Sequence, residues 1–217
     1  MAGCYKNILF DLDGTLTDSA EGVTKSVQHS LQQFGIVRAP EELKLFIGPP
    51  LQLSFQNYYG LSESKALQAV NYYRDYYRQK GIFENRLYPS VTEMLEKLTA
   101  KGTQVFVATS KPTVFAKIVL QHFGIEHFFK FIAGSNLDGT RIEKSDVIKY
   151  VLGLIRNPDR TKTIMVGDRK HDIKGARICG IDSVAVTYGY GSSAELIAAK
   201  PTFMVHSIPE LTNLLLV

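Results

Sequence analysis

Cysteine is scarce in this sequence. Only two cysteines, Cys4 and Cys179, occur among 217 residues. Two cysteines so far apart provide neither a disulfide framework nor the paired spacing of a cysteine metal site. Sparse cysteine without a disulfide pattern is typical of a reducing compartment, so we expect a cytoplasmic protein.

Long hydrophobic runs and blocks of one charge are also missing. No apolar stretch approaches the roughly 20 residues of a membrane-spanning helix, and the N-terminus reaches Asp11 without a hydrophobic signal segment. The 25 basic and 21 acidic residues leave a net charge of +4, spread along the chain. We therefore expect no membrane or nucleic acid polymer as a partner, whereas a small anionic metabolite fits. Both a monomer and a homodimer are compatible with the sequence.

The pattern of apolar segments indicates an α/β fold. With 217 residues, 45% of them hydrophobic, the chain can form a sizeable core and a smaller insert. From Pro89 onward, short β-type runs alternate with amphipathic helices, which is typical of a mostly parallel sheet between two layers of helices. The strands are predicted at residues 8–10, 104–109, 131–135, 163–168, 183–188 and 203–206. Helices are predicted at residues 91–100, 114–123 and 144–155, and a further short helix follows the strand at 163–168 and ends at Gly180.

The segment between the first strand and Pro89 has helical rather than strand periodicity. We therefore predict a core formed by residues 1–17 and 86–217, with a helical cap inserted at residues 18–85. Because the insert leaves from the carboxyl end of the first strand, we expect it to act as a lid over a ligand crevice. Its helices are predicted at residues 24–34, 39–43, 51–59 and 62–80.

The first strand ends in two acids. Asp11 and Asp13 alternate around Leu12, so strand periodicity places both carboxylates on one side of the backbone. The plainest interpretation is a turn followed by a helix cap, because Asp-Gly pairs are common in turns. Two carboxylates that repel each other where a buried strand opens into a loop instead favour a cation between them.

Other predicted strands also end in polar residues. The carboxyl ends of parallel strands meet in one crevice, where ligands bind. Thr109 and Ser110 offer hydroxyl and backbone donors to phosphate oxygens there, and Lys144 begins a helix that can reach the same crevice. Asp168 ends another strand, and Asp172 lies about one helical turn further on. Such a cluster of acids predicts Mg²⁺, which prefers oxygen ligands and recruits phosphate.

Four motifs occur in order along nearly the whole chain, and through them the sequence resembles the haloacid dehalogenase superfamily. The resemblance implies a Rossmann-like three-layer core with a helical cap after the first strand, of the phosphoglycolate phosphatase-like branch. The motifs are Asp11-Leu12-Asp13-Gly14-Thr15, Thr109 in Thr109-Ser110-Lys111-Pro112, Lys144, and Gly167-Asp168-Arg169-Lys170-His171-Asp172.

The resemblance also implies catalytic roles. Asp11 would be the nucleophile that forms an aspartyl-phosphate, and Asp13 would serve first as general acid and then as general base. Lys144 and Thr109 would hold the transferring phosphoryl oxygens, with Ser110 beside them. An acid at position 13 is typical of the members that transfer phosphoryl groups, whereas members that cleave carbon–halogen or carbon–phosphorus bonds lack it.

A metal site follows from the same resemblance. Mg²⁺ would be held by Asp11, the backbone carbonyl of Asp13 and Asp168. Asp172 would assist through a water molecule or by orienting Lys144. The resemblance thus implies a Mg²⁺-dependent phosphatase that acts on a small phosphorylated metabolite.

The substrate is less sharply indicated. Residues 47–51 and 133–141 are particularly similar to bacterial 5′-nucleotidase-like members, so we expect a nucleoside 5′-monophosphate, with phosphoglycolate or another small phosphate monoester as the alternative. Arg141 is interpreted either as a contact to a substrate anion or as an ordinary surface arginine. A sugar phosphomutase and a non-catalytic phosphate-sensing module are further alternatives, but no phosphomutase cap signature is present. Intact Asp13 and Lys144 argue against the sensing module.

Overall fold

The structure is a computed structural model that describes residues 5–216. Over these residues the chain divides into two compact units. The first unit comprises the described residues up to Thr17 and those from Leu87 onward, and the second unit is Asp18–Arg86. Cys4 lies outside the described residues, whereas Cys179 is buried as a free thiol.

A six-stranded parallel sheet forms the centre of the first unit. Its strands are β1 (Asn7–Phe10), β4 (Gln104–Pro112), β5 (Phe129–Ser135), β6 (Thr163–Gly167), β7 (Asp182–Val186) and β8 (Phe203–Val205); β2 (Thr17–Asp18) and β3 (Arg86–Leu87) lie outside it. The order in the large sheet is β5-β4-β1-β6-β7-β8, and its neighbouring strands run parallel. All four residues of β1 are buried, as expected for an apolar strand covered on both faces. The short strands β2 and β3 form a separate pair.

Helices connect the strands. They are α1 (Ala20–Gln32), α2 (Pro40–Leu43), α3 (Leu51–Tyr59), α4 (Glu63–Tyr76), α5 (Val91–Ala100), α6 (Thr113–His122), α7 (Lys144–Leu154), α8 (Lys170–Ile178), α9 (Ser193–Ala199) and α10 (Ile208–Leu215). The path from β1 to β4 to β5 moves one way along the sheet, and the path from β5 to β6 to β7 moves back. Because crossovers between parallel strands are right-handed, α5 and α6 cover one face while α7 and α8 cover the other. The predicted α/β fold with helices on both faces is confirmed.

The core on the second of these faces fixes α7. Leu9, Phe106 and Met165 come from three adjacent strands and are buried in one cluster with Val147 and Val151 of α7. Burying large apolar side chains stabilises such a contact by about 1.5–3 kcal/mol each. This packing determines where α7 begins, and its first residue belongs to the polar crevice described below.

The second unit is helical. Its longest helix, α4, ends at Tyr76 and continues as a wider π-type turn over Tyr77–Gly81, so the α-helix is shorter than the predicted residues 62–80. The Tyr73 and Tyr77 rings stack with centroids 5.3 Å apart, and both side chains are buried. The tyrosines at helical spacing therefore contribute to packing within this unit.

Two further differences concern the first unit. The strand predicted to end at Thr109 continues to Pro112, and α10 has no counterpart among the predicted helices. Within residues 5–216, no helix combines the length and the apolar character required to cross a membrane.

Candidate active site

Asp11 follows β1 directly. Its backbone N–H donates to the carbonyl of Val166 on β6 over 2.9 Å, so the sheet holds the backbone at this residue. The side chain is buried, and its Oδ1 accepts a hydrogen bond from the backbone N–H of Leu12 at 2.8 Å. The same oxygen lies 3.0 Å from Nζ of Lys144. The carboxylate is therefore oriented before any ligand arrives.

Lys144 is the first residue of α7 and is buried. Its Nζ donates to the carbonyl of Ala108 at 3.1 Å and lies 3.0 Å from Oδ1 of Asp11 and 2.8 Å from Oδ1 of Asp172. Three acceptors match the three hydrogens of an ammonium group. Burial lowers the pKa of Lys144, but the two carboxylates outweigh burial and raise the pKa above its ordinary value. The lysine therefore remains charged in the folded protein.

Two further carboxylates come from the end of β6 and the start of α8. Asp168 follows β6, and Asp172 lies in the first turn of α8; both are fully buried. Oδ2 of Asp172 accepts from the backbone N–H of Arg169 at 3.0 Å, a favourable place for an acid at a helix N-terminus. Three carboxylate oxygens lie within 4.8 Å of one another, one each from Asp11, Asp168 and Asp172.

Negative charge is crowded in this cluster. Burial raises the pKa of Asp168 well above its usual range, and the carboxylates of Asp172 and Asp11 raise it further. Burial also raises the pKa of Asp172, to about 6, although Lys144 acts in the opposite direction. With all three acids ionised, three carboxylates face one ammonium group, which leaves two negative charges uncompensated. A divalent cation with oxygen ligands, such as Mg²⁺, fits this donor set and charge.

Asp13 lies beside a different lysine. Its Oδ2 is 2.7 Å from Nζ of Lys111, and the two side chains are only 15% and 5% exposed, respectively. The other oxygen, Oδ1, is buried and has no hydrogen-bond donor within residues 5–216. A buried acceptor without a donor costs about 1–3 kcal/mol unless a ligand or water supplies the hydrogen. Oδ1 of Asp13 can therefore accept a hydrogen bond from a bound ligand or a water molecule.

Thr109 lies in an irregular segment of β4. Ala108 pairs with Ala133, and Pro112 pairs with Ser135, so a step of four residues in β4 lies opposite a step of two in β5. Extra residues of this kind bend a strand and redirect its side chains, and they are common next to active sites.

The bulged segment is tied to its neighbours by hydrogen bonds. Oγ1 of Thr109 accepts from the backbone N–H of Lys111 at 3.2 Å, and the carbonyl of Ser110 accepts from Oγ of Ser135 at 2.8 Å. Gly134 allows the close approach, because a Cβ atom there would lie 2.0 Å from the carbonyl oxygen of Lys111. Thr109 is buried and follows the residue whose carbonyl binds Lys144.

Arg141 is held within its own loop. Its Nε donates to the carbonyl of Gly134 at 2.8 Å, and Nη2 donates to Oδ1 of Asn136 at 2.9 Å. The guanidinium carbon lies 4.1 Å from the centroid of the Tyr150 ring. These contacts tie the arginine to its own loop, and a contact to a substrate anion stays a prediction.

Comparison with known proteins identifies the family. The sequence pattern of the family described as haloacid dehalogenase-like hydrolase matches residues 8–186. The chain belongs to this family.

Relatives within the family carry phosphatase and kinase names. A 5′-nucleotidase from Pseudomonas aeruginosa is 45% identical over 215 residues, which cover 97% of this chain and 96% of the relative. A phosphoglycolate phosphatase from Haemophilus influenzae is 32% identical over 222 residues, covering 97% and 98%. The tyrosine-protein kinase PtkA from Mycobacterium tuberculosis is 40% identical over 201 residues, covering 92% and 68%. The crystal structure of a predicted phosphatase from Clostridium acetobutylicum matches with a TM-score of 0.93 and 47% identity, covering 96% and 97%.

In this hydrolase, sequence reasoning overlooked Lys111 as a site residue. Lys111 belongs to the second motif, but only the structure pairs it with Asp13. The available sequence signal was its place in that motif, two residues after Thr109. Strand alternation gives no guide there, because the bulge in β4 includes residues 109–111. Residues 188–191, interpreted only as a strand-to-helix loop, were also overlooked, although they contact Asp168.

Proposed function

We propose that this chain hydrolyses a small phosphate monoester with Mg²⁺ as cofactor, through an aspartyl-phosphate formed on Asp11. The observation that carries the proposal is the buried contact of Asp11 with Lys144, within the cluster of Asp11, Asp168 and Asp172. A carboxylate held beside a charged lysine and an expected cation is placed to attack an anionic phosphate that it would otherwise repel.

The reaction has two steps. First, a carboxylate oxygen of Asp11 forms a bond to phosphorus while the ester P–O bond breaks, and Asp13 gives its proton to the leaving oxygen. Asp13 then takes a proton from water, whose oxygen attacks phosphorus. The bond to Asp11 breaks, and inorganic phosphate leaves. The buried, donor-free Oδ1 of Asp13 supports this role in both steps.

Phosphoryl oxygens need positive charge and donors in both steps. Lys144 supplies a buried ammonium group, while Thr109 and Ser110 lie in the bulged segment beside it and supply hydroxyl or backbone donors.

The expected metal ligands include two members of the acidic cluster, Asp11 and Asp168. Asp11, the backbone carbonyl of Asp13 and Asp168 would hold Mg²⁺, with Asp172 acting through Lys144 or a water molecule. When bound, Mg²⁺ would compensate the charge of the phosphoryl oxygens.

Nucleoside 5′-monophosphates are the proposed substrates. The 45% identity to a protein named 5′-nucleotidase, over nearly the full length of both chains, supports this class. Phosphoglycolate or another small phosphate ester is the alternative, supported by the more distant relatives named phosphoglycolate phosphatase. A panel of phosphate monoesters compared by kcat/KM decides between them, and a nucleotide preference no greater than that for phosphoglycolate contradicts the first choice.

The catalytic role of Asp11 is tested with Asp11→Asn. We expect phosphate release from the best ester to fall by at least about a thousandfold, because the amide cannot form the acyl-phosphate. Asp146→Asn, which changes an exposed acid on α7, is the matched control and should retain wild-type activity. Chelation with EDTA should abolish turnover of the wild type, and added Mg²⁺ should restore it. Undiminished turnover by a folded Asp11→Asn variant would exclude this nucleophile.

Other activities leave different products. A phosphomutase yields an isomeric sugar phosphate instead of free phosphate, and a sensing module binds phosphate esters without turnover. The 40% identity to a protein named tyrosine-protein kinase supports a further assay with ATP and a tyrosine peptide. Phosphotyrosine in the peptide, without hydrolysis of any monoester, would overturn the phosphatase proposal.

The cellular setting is proposed from the same features. We place the enzyme in the cytoplasm, acting on a small phosphorylated metabolite, with no nucleic acid polymer or membrane as partner. The buried free thiol of Cys179 supports a reducing compartment. Light scattering distinguishes the two oligomeric states that we consider, monomer and homodimer.

A further inference from the structure

A glycine-containing loop lies against the acidic cluster. We call Tyr188-Gly189-Tyr190-Gly191 the glycine loop; it joins β7 to α9. It lacks the lysine followed by serine or threonine that a phosphate-binding loop carries. Its position in the first unit shows a different use.

Both side-chain oxygens of Asp168 accept hydrogen bonds at this place. The backbone N–H of Tyr190 donates to Oδ2 at 2.8 Å, and Oγ1 of Thr15 donates to Oδ1 at 3.4 Å. Asp168 is fully buried, so no solvent replaces these donors. The glycine loop and the turn after β1 thus hold the carboxylate from two sides.

The glycines are required by close contact. A Cβ atom on Gly189 would lie 2.4 Å from Cβ of Asp168 and 2.3 Å from the carbonyl oxygen of Gly14. A Cβ atom on Gly191 would lie 1.9 Å from the carbonyl oxygen of Asp168. A Cβ atom on Gly14, whose φ is +83°, would lie 2.3 Å from Oδ2 of Asp168. The lack of a side chain at these three glycines therefore allows the backbone to contact Asp168 closely.

A tyrosine fastens the glycine loop to the turn after β1. The hydroxyl of Tyr188 donates to the carbonyl of Thr15 at 3.0 Å, and its ring meets the Tyr88 ring edge-on with centroids 5.0 Å apart. Thr15 donates to Asp168 from one side, and the glycine loop donates from the other side through Tyr190. The hydrogen bond of Tyr188 connects the two.

These contacts oppose a specific movement. The charges of Asp11 and Asp172 favour rotation of the Asp168 carboxylate away from the cluster. The two donors and the backbone of the glycine loop occupy the space that such a rotation needs. We propose that the glycine loop is a positioning element that keeps the Asp168 carboxylate directed at the divalent cation. The inference rests on the cofactor part of the proposed function and extends it to residues outside the four motifs.

The test is the Mg²⁺ affinity of the protein without substrate, measured by titration calorimetry, with Mn²⁺ as a second probe. In Gly189→Ala the new Cβ displaces Asp168, and we expect Kd for Mg²⁺ to rise about 10–100-fold, the usual effect of losing a partner that orients a metal ligand. Saturating Mg²⁺ should recover most of kcat. Gly153→Ala in α7, whose Cβ has no neighbour within 4 Å, is the matched control and should bind Mg²⁺ as the wild type does.

A second variant guards against loss of folding. Tyr188→Phe removes only the hydrogen bond to Thr15 and should raise Kd about threefold or more. An unchanged Kd in a folded Gly189→Ala variant, or in Tyr188→Phe if Gly189→Ala does not fold, overturns the inference. A wild type that binds neither Mg²⁺ nor Mn²⁺ overturns it too. A wild type that binds Mg²⁺ but hydrolyses no monoester contradicts only the proposed function.

Discussion

Two buried lysines contact three of the four acids of the site. Lys144 contacts Asp11 and Asp172, while Lys111 contacts Asp13. A lysine removed from water is stabilised only where carboxylates lie close, and removing one partner leaves the other buried and uncompensated. The pairing of Lys111 with Asp13 thus separates the proposed acid–base group from the proposed nucleophile.

Replacing Lys111 should impair catalysis. In Lys111→Met, Asp13 loses its only ion pair within residues 5–216, at 2.7 Å, and the carboxylate is free to move from its position. Charge-assisted hydrogen bonds are worth about 1.5–3 kcal/mol, so we expect kcat/KM to fall about 10–100-fold. Steady-state kinetics with the best monoester measures the loss.

Charge and packing are separated by two further variants. Lys111→Arg should restore part of the activity, because it retains the positive charge. Lys117→Met changes an exposed lysine on α6 in the same unit and should have no effect. Wild-type kcat/KM in a folded Lys111→Met variant would show that the ion pair has no part in the reaction.

At the scale of secondary-structure elements, α8 and α9 are joined by one acid. Glu195, in the first turn of α9, accepts from the backbone N–H of Lys170 at 2.9 Å and from Nε of Arg169 at 3.0 Å. Burial raises the pKa of Glu195, but the hydrogen bond and charge of Arg169 and the amide of Lys170 outweigh it and hold the pKa below its ordinary value. The ionised form therefore stabilises the folded protein.

The pH dependence of stability checks this contact. A lowered pKa in the folded state gives stability that is present above the ordinary pKa and lost as the pH falls through the folded value. Glu195→Gln should therefore reduce the free energy of unfolding by about 0.5–1 kcal/mol near neutral pH, discounted for partial exposure. Urea unfolding of both proteins at several pH values should show this difference shrinking as the pH falls below the ordinary pKa of a glutamate. Glu96→Gln, at an exposed position on α5, is the control. A difference in unfolding free energy for Glu195→Gln that does not change with pH would contradict the role of charge.

Most helices and strands were predictable from the sequence, whereas irregular features of the sheet were not. The predicted helix at residues 91–100 matches α5, because Val91, Leu95 and Leu98 repeat on one face. The bulge in β4 was not predictable, since it depends on the register with β5 and on the close approach at Gly134. The short helix α10 was overlooked although the sequence signals it, because Ile208, Leu211 and Leu215 have helical spacing and follow the N-cap Ser207.

The residues of the site also divide into those that the sequence predicts and those that only the structure reveals. Asp11, Asp168 and Lys144 were located because each stands at the end of a strand or the start of a helix. The pairing of Lys111 with Asp13 and the contact of the loop at residues 188–191 with Asp168 join positions far apart in the sequence. Only the three-dimensional arrangement of β1, β4, β6 and β7 brings them together.

At the scale of the whole molecule, the acidic cluster opposes folding unless a cation is bound. The pKa of Asp168 is raised by burial and by its acidic neighbours, so ionising it near neutral pH costs folding free energy. An unfolded chain does not assemble this cluster. A divalent cation that binds only the folded state therefore raises the free energy of unfolding, by about 2.7 kcal/mol at a hundred times its Kd.

Thermal unfolding with and without Mg²⁺ measures this coupling. For the wild type we expect Mg²⁺ at a hundred times its Kd to raise Tm by about 5 °C or more relative to EDTA. Asp168→Asn should lose that increase, yet melt in EDTA at the same temperature as the wild type or higher, because the substitution removes a repelling charge. Asp146→Asn, at an exposed position, should keep the full Mg²⁺ effect. An equal Mg²⁺ effect on Tm in Asp168→Asn and the wild type would mean that the cation binds elsewhere. A large fall in Tm for Asp168→Asn in EDTA would mean that the hydrogen bonds of Asp168 outweigh the repulsion between the carboxylates.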